Sequence, residues 1–465
     1  MSRLHVAGRL AGAVLAVAAL SCPGPPTPAA RAVIPPVLDA SAPVAAEPTG
    51  PPEPVEQRTH CAALAPLGAD EDALPPGHLA LDVAGAWQFS RGAGVKVAVL
   101  DTGVTPHPRL PRLTGGGDYV GSGDGLTDCD LHGTLVAGII AGSPSGADGF
   151  AGVAPDASII SVRTSSGAYA AKNARSGAQP ASVGAGFGSL RSLAKAIVRA
   201  VDLGAKVVNI SEVACASVGS GDPLTTRDST ASRELGSALA RAKARDAVIV
   251  VAAGNVTETT GCREQNPAAA ASPTQAWTGV RTVASPAWFG REVLTVGAVD
   301  ADTGSPADFS LRGPWVTVAA PGTRVTSLAP AAGGVRPVDA LEGDDGPRAL
   351  AGTSYAAPYV AGLAALIRAR YPKMPAGEVV ARIVRTAHGG PERDASVGYG
   401  VVDPIAALTA ELPDAGSLPD PADDHRIAAP ATPPPPGHGP AAAAVVAAVC
   451  AAMLAVCWLV TRQQR

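Results

Sequence analysis

The chain has 465 residues, 46% of them hydrophobic and 16% charged. That is enough for one large catalytic domain with appendages, or for two domains. With aromatics at only 3%, its core must be aliphatic and small. A formal net charge of -4 removes the electrostatic case for nucleic acid as a partner.

Arg3 and Arg9 open the chain, and Leu10 to Leu20 is an uncharged apolar run with the length of a signal h-region. It is too short to span a bilayer. Residues 1–32 therefore read as an export signal. Ala30-Arg31-Ala32 and Ala19-Leu20-Ser21 both fit the small-x-small cleavage rule. Residues 33–80 begin rich in Pro and Ala, then carry Cys61 and Pro75-Pro76-Gly77. They read as an extension ahead of the main domain, either a removable propeptide or a permanent arm.

The main domain is expected over 81–410. Strands are predicted at Val95 to Leu100, Ser158 to Val162, Lys206 to Ile210, Ala247 to Ala252 and Val293 to Val299, each a short apolar run. Helices are predicted over 132–142, around Leu193, Ile197 and Val201, and over 231–245, 355–370 and 376–387. Such alternation implies an α/β fold with a mostly parallel sheet. The Gly/Ser/Ala-rich stretch 165–189 reads as a surface loop.

Residues 411–440 are rich in Pro, Asp and Ala and read as an extended linker. Residues 441–460 carry no charge and match the roughly 20 residues needed to cross a bilayer. Arg462 and Arg465 place the tail 461–465 in the cytoplasm and everything before the span on the extracytoplasmic side.

The cysteines agree with that layout. Cys22 belongs to the signal, and Cys450 and Cys457 lie in the span. Cys61, Cys129, Cys215 and Cys262 remain in the exported part, where oxidation is favoured. They allow three connectivities. Cys61–Cys129 with Cys215–Cys262 is the favoured pairing, each closing a loop that the chain-entropy model values at about 4 kcal/mol. Neither a metal nor a cofactor is expected. Asp344-Asp345 reads as a solvated turn, and His107, His388 and His425 lack partners at metal-ligand spacing.

Three polar islands carry the chemistry. Val97 to Leu100 leads into Asp101-Thr102-Gly103, a carboxylate at the C-terminal end of a buried strand. Asp130-Leu131-His132-Gly133-Thr134 opens a helix on a histidine. Gly352-Thr353-Ser354-Tyr355-Ala356-Ala357-Pro358 puts a serine at the turn into another. Peptide hydrolysis needs a nucleophile, a base to take its proton and an acid group to orient that base. Ser354, His132 and Asp101 fill those roles in the order Asp, His, Ser, which is the order of subtilisin.

On these blocks the chain resembles the subtilisin-like (S8) serine proteases over roughly 85–405. The resemblance implies a three-layer fold with a mostly parallel seven-stranded sheet. It implies that Asn255, in Ala252-Ala253-Gly254-Asn255, donates to the oxyanion together with the N–H of Ser354. It also implies that Ser211, Glu212 and Val213 form the edge on which a polypeptide substrate pairs. Ala252, Ala253 and Gly254 then line the primary pocket. The family usually carries glycine near Val213, so small residues are expected before the scissile bond.

A narrower resemblance rests on the signal, Cys61, Asp128-Cys129-Asp130, Glu212-Val213-Ala214-Cys215, Gly261-Cys262, the linker and the span. Together they are similar to the mycosins, membrane-anchored subtilases of type VII secretion systems. This implies an extension retained near His132 by Cys61, cleavage of secreted substrates, and association with a membrane-embedded secretion complex. A structural subunit with proteolysis secondary is the alternative.

Overall fold

Short aliphatic runs, each ending in a polar or glycine-rich turn, build the central sheet of the computed structural model. The structure describes residues 33–412 except 40–43, 46–47, 66–73, 174–185, 223–228, 258–261, 269–272, 331–335 and 390–392, with isolated residues between 452 and 463. The central strands are β1 (Lys96–Asp101), β2 (Leu113–Asp118), β3 (Ser158–Arg163), β4 (Val207–Ile210), β5 (Val248–Ala252), β6 (Leu294–Val299) and β7 (Val318–Pro321). They form one seven-stranded sheet in the order β7-β6-β5-β4-β1-β3-β2. Every neighbouring pair is parallel.

The period-2 alternation of the strands assigns their side chains to two core layers. Val97, Val99, Val250 and Val296 pack with Leu135, Val136 and Ile139 of α1 (His132–Ala141) and with α4 (Thr353–Arg370) and α5 (Ala376–Thr386). Ala98, Leu100, Ile249 and Val251 face the other way, against α2 (Leu190–Asp202) and α3 (Thr230–Ala244). The two outer helices start on serine caps: Ser189 accepts from Ser192 N–H and Ser229 from Ser232 N–H. In α4, residues 353–368 are all buried. A helix apolar on every side belongs inside the fold, and α4 lies under the sheet with the serine block at its N-terminus.

The five predicted strands and five predicted helices are all present, with ends shifted by a residue or a few. β2 and β7 were not anticipated. β2 reads Leu-Thr-Gly-Gly-Gly-Asp and β7 Val-Ala-Ala-Pro, so neither carries an apolar run of strand length.

The expected surface loop at 165–189 is a docking element at its described ends. Ser165–Ser166 pairs with Phe187–Gly188, and Tyr169–Ala171 pairs antiparallel with Val55–Gln57 of the N-terminal extension. The extension is thus strapped to the domain. Arg58 N–H and Thr59 N–H donate to Ala168, Ala62 N–H donates to Cys129 O, and Cys61 is disulfide-bonded to Cys129. Leu64 bridges to Leu341, and the buried His78 of the short helix Pro76–Ala80 stacks edge-on against Phe150 and Tyr359. Residues 33–80 and 81–410 therefore share one packed body at every described contact. Cys215 and Cys262 form the second disulfide.

The expected signal 1–32 lies outside the described residues, as does most of the expected linker 411–440 and span 441–460. Among the described residues no helix is long and apolar enough to cross a membrane.

Because Cys61–Cys129 closes a separation of 68 residues, Cys61→Ser is expected to destabilise the folded state by up to about 4 kcal/mol. Limited proteolysis and thermal melting check this: cleavage should appear first within 50–65, with the body of the domain intact.

Candidate active site

Asp101 closes β1 and is fully buried. A buried carboxylate needs donors. Its Oδ1 accepts from Thr102 N–H at 2.8 Å and from His132 Nδ1 at 2.7 Å. His132 is the first residue of α1, and the next residue explains how the helix comes so close. A Cβ on Gly133 would lie 2.1 Å from Gly103 O and 3.0 Å from Asp101 Cβ. Only glycine lets the helix start against the strand end.

The start of α1 has no side-chain cap of its own, because Leu131 occupies the N-cap with a left-handed φ of 62°. Such a backbone costs roughly 1–2 kcal/mol, so other contacts must hold it. Asp128 supplies them. Its Oδ2 accepts from Thr134 N–H at 2.9 Å and Thr134 Oγ1 at 2.6 Å, while Oδ1 accepts from Thr102 Oγ1 at 2.8 Å. Thr102 Oγ1 in turn accepts from Gly133 N–H at 2.9 Å. Burial pushes the Asp128 carboxyl up to about 6, against the opposing pull of Thr134 and Thr102. Asp128 was read from sequence only as part of a motif. Its role as the side chain that fixes the histidine helix emerges from these contacts.

Ser354 is in the first turn of α4, 8% exposed. Its N–H is among the first-turn donors that lack an intrahelical acceptor, and the helix dipole there favours negative charge. Thr353, fully buried, ties α4 to the end of β5. Its Oγ1 accepts from Gly254 N–H at 3.1 Å and donates to Asn255 Oδ1 at 3.0 Å; its N–H donates to Asn255 Oδ1 at 2.9 Å. A backbone N–H can only donate, so the atom facing it is the amide oxygen. Nδ2 is thereby turned the other way. A methyl built on Gly352 would lie 3.0 Å from Ser354 Oγ and 3.3 Å from Asn255 Nδ2, so the two groups flank the same space.

The segment 211–213 follows β4. Ser211 is buried and its Oγ accepts from Asn209 Nδ2 at 2.8 Å. Glu212 and Val213 are half-buried and lie outside every ladder. Gly254 faces Val213: with φ at 106°, a Cβ there would be strained, and it would sit 3.3 Å from Cys262 Sγ and 3.5 Å from Val213 Cγ2. The Cys215–Cys262 disulfide therefore joins the strand after Val213 to the loop beside Gly254. Ala252 and Ala253 pack their methyls into the two opposite core layers. Of the three expected pocket residues, Gly254 lies against Val213.

One contact was not foreseen. Asp101, His132 and Glu212 each offer an atom in a set lying within 4.8 Å of one another. Sequence could not signal it, because Glu212 and His132 meet only through the packing of β4 beside β1. Burial opposes a proton on His132, but the charge and hydrogen bond of Asp101, then Glu212 and Asp128, lift it from 6.5 to about 9.

The family model for the subtilases matches residues 92–400. The chain belongs to the subtilase family. Mycosin-1 of Mycolicibacterium smegmatis is 44% identical over 411 residues, 87% of this chain and 88% of that protein. The crystal structure of MycP1 from the ESX-1 type VII secretion system is 43% identical with a TM-score of 0.74, covering 83% of this chain and 98% of that one. A chain of the intact ESX-5 inner membrane complex is 39% identical with a TM-score of 0.73, covering 93% and 100%. These matches place this subtilase among the mycosins and make it a serine-type endopeptidase.

Asp128→Ala would strip the acceptor from Thr134 and Thr102 and leave Leu131 strained. The expected loss is roughly 2–3 kcal/mol of stability, read by urea denaturation. A change under 0.5 kcal/mol would show that the helix start holds itself.

Proposed function

We propose that this mycosin cleaves selected secreted polypeptides at the extracytoplasmic face of the membrane, through Asp101, His132 and Ser354. The observation that carries the reading is the fixed orientation of Asn255. Thr353 holds the amide oxygen, which leaves Nδ2 beside Ser354 Oγ.

In this mechanism Ser354 Oγ attacks the scissile carbonyl and its proton passes to His132 Nε2. Asp101 holds Nδ1–H, sets the tautomer and stabilises the imidazolium. Asn255 Nδ2 and the Ser354 N–H donate to the oxyanion, a donor of this kind contributing about 2.7–4 kcal/mol in subtilisin. His132 then protonates the leaving amine, and water repeats the cycle on the acyl-enzyme. No direct hydrogen bond joins His132 to Ser354 in this structure. Catalytic hydrogen bonds of unliganded enzymes are often long and tighten when substrate binds.

Substrate would lie along Ser211, Glu212 and Val213. Val213 facing Gly254 supports a narrow primary pocket that takes small residues such as Ala. In a peptide-library profile the wild type is expected to cut after small residues, and Val213→Gly to admit larger ones. Aromatic residues dominating the wild-type profile would refute the narrow pocket.

The apolar stretch 441–460 followed by Arg462 and Arg465 supports a single-pass anchor with the catalytic domain outside. Similarity to a chain of the ESX-5 inner membrane complex supports a type VII secretion complex as partner. The same similarity favours a second reading, in which the protein mainly stabilises that complex. Ser354→Ala compared with deletion separates them. If processing alone is lost in Ser354→Ala while deletion also stops secretion, both roles operate. If deletion stops only processing, the protease role suffices.

A further inference from the structure

The Asp101–His132 pair carries an unexplained neighbour. Glu212 brings a carboxyl oxygen into the set of atoms that includes one from Asp101 and one from His132, all within 4.8 Å. Glu212 Oε2 and Asp101 Oδ2 are both buried and neither has a hydrogen-bond partner among the described residues. Two carboxylates at this separation, out of water, cannot both stay ionised unless a cation sits with them. The nearest candidate is the His132 imidazolium.

The rest of the surroundings adds negative charge. Asp128 lies beneath the start of α1, bonded to Thr102 and Thr134. Asp130 is held by Gly167 N–H and Ala168 N–H and acts on Glu212 from the same loop. From α4, Tyr355 packs its ring 5.1 Å from the His132 ring, and Arg348 acts on the Tyr355 hydroxyl. Three carboxyl groups, those of Asp101, Glu212 and Asp128, thus act on one imidazole, and Asp130 acts on Glu212 behind them.

We propose that Glu212 is a positioning residue that shares a proton with His132, so that the imidazole is a free base only when Glu212 holds that proton or both groups have lost it. The pair has two one-proton forms. In one, imidazolium faces carboxylate, and Ser354 has no base. In the other, imidazole faces a carboxylic acid, and Ser354 has its base. Glu212 therefore restrains the nucleophile at neutral pH and releases it as pH rises. Burial, then the charge of Asp101, pushes the Glu212 carboxyl well above the usual carboxylate range, while His132 pulls it down. That is the behaviour of two sites titrating together.

The inference rests on His132 being the base for Ser354, and the experiment separates the two. Full-length protein is labelled with a fluorophosphonate probe, which needs no substrate pocket, and the second-order rate is followed against pH. The wild-type rate is expected to rise through a limb well above 6.5. In Glu212→Gln, which keeps shape and a donor but cannot ionise, the limb should move down by about one pH unit. Labelling should then be roughly tenfold faster below the wild-type limb. Histidine NMR of the same proteins supplies a readout that needs no activity. His132 should titrate in two inflections in the wild type and in one in Glu212→Gln. Superimposable limbs, or a single wild-type inflection should Glu212→Gln not fold, would overturn the role of Glu212. Labelling that survives in Ser354→Ala would instead overturn the triad.

Discussion

A fully buried carboxylate at the end of a central strand is the constraint around which this protein is arranged. Asp101 sits out of water with Thr102 N–H and His132 Nδ1 both reaching Oδ1. To bring His132 there, a helix must begin against the strand end, which requires Gly133 and a left-handed Leu131. To hold that beginning, Asp128 must collect the hydroxyls of Thr102 and Thr134. The charge, the helix start and the second carboxylate form one network. Removing any member leaves a buried polar group unpaired.

The proposed nucleophile, Ser354, is held by a separate device. Thr353 fastens the first turn of α4 to the turn after β5 through three hydrogen bonds. The same bonds decide which end of the Asn255 amide faces Ser354. α4 is buried through Arg368, so the serine rides on a densely packed element of the fold. Rigid elements place reacting groups more accurately than loops do.

The extension and the disulfides act on the rim. Cys61–Cys129 sits immediately before the Asp130–His132 block, and the strand at Val55–Gln57 pairs with Tyr169–Ala171 close by. Asp130 also bonds the backbone at Gly167 and Ala168. Strap, rim and histidine loop are therefore one continuous set of contacts. Cys215–Cys262 plays the matching part beside Gly254 and Val213.

Much of this was legible in the sequence, because the information is local. Apolar runs such as Val97 to Leu100 report burial, and glycine or serine at their ends reports turns. The order of the Asp101, His132 and Ser354 blocks reports a reaction class. Counting cysteines left three pairings open, and the favoured one is the one the fold joins. β2 escaped because three glycines give it no apolar run, and its strand geometry comes entirely from pairing with β3. The stretch after Ser165 reads as a loop for the same reason: its short strands exist only because other segments pair with them.

What only the tertiary structure decided is how groups distant in sequence share space. Glu212 reads as one residue of a substrate edge until the sheet places β4 beside β1 and its carboxyl among Asp101 and His132. Asn255 is an amide with two ends until Thr353 selects one. Sequence by itself determined which chemistry the chain carries, since that depends on residue types and their order. Structure decided the charge around His132 and the aim of the Asn255 amide. Those depend on distances of a few ångströms between elements, which no local pattern encodes.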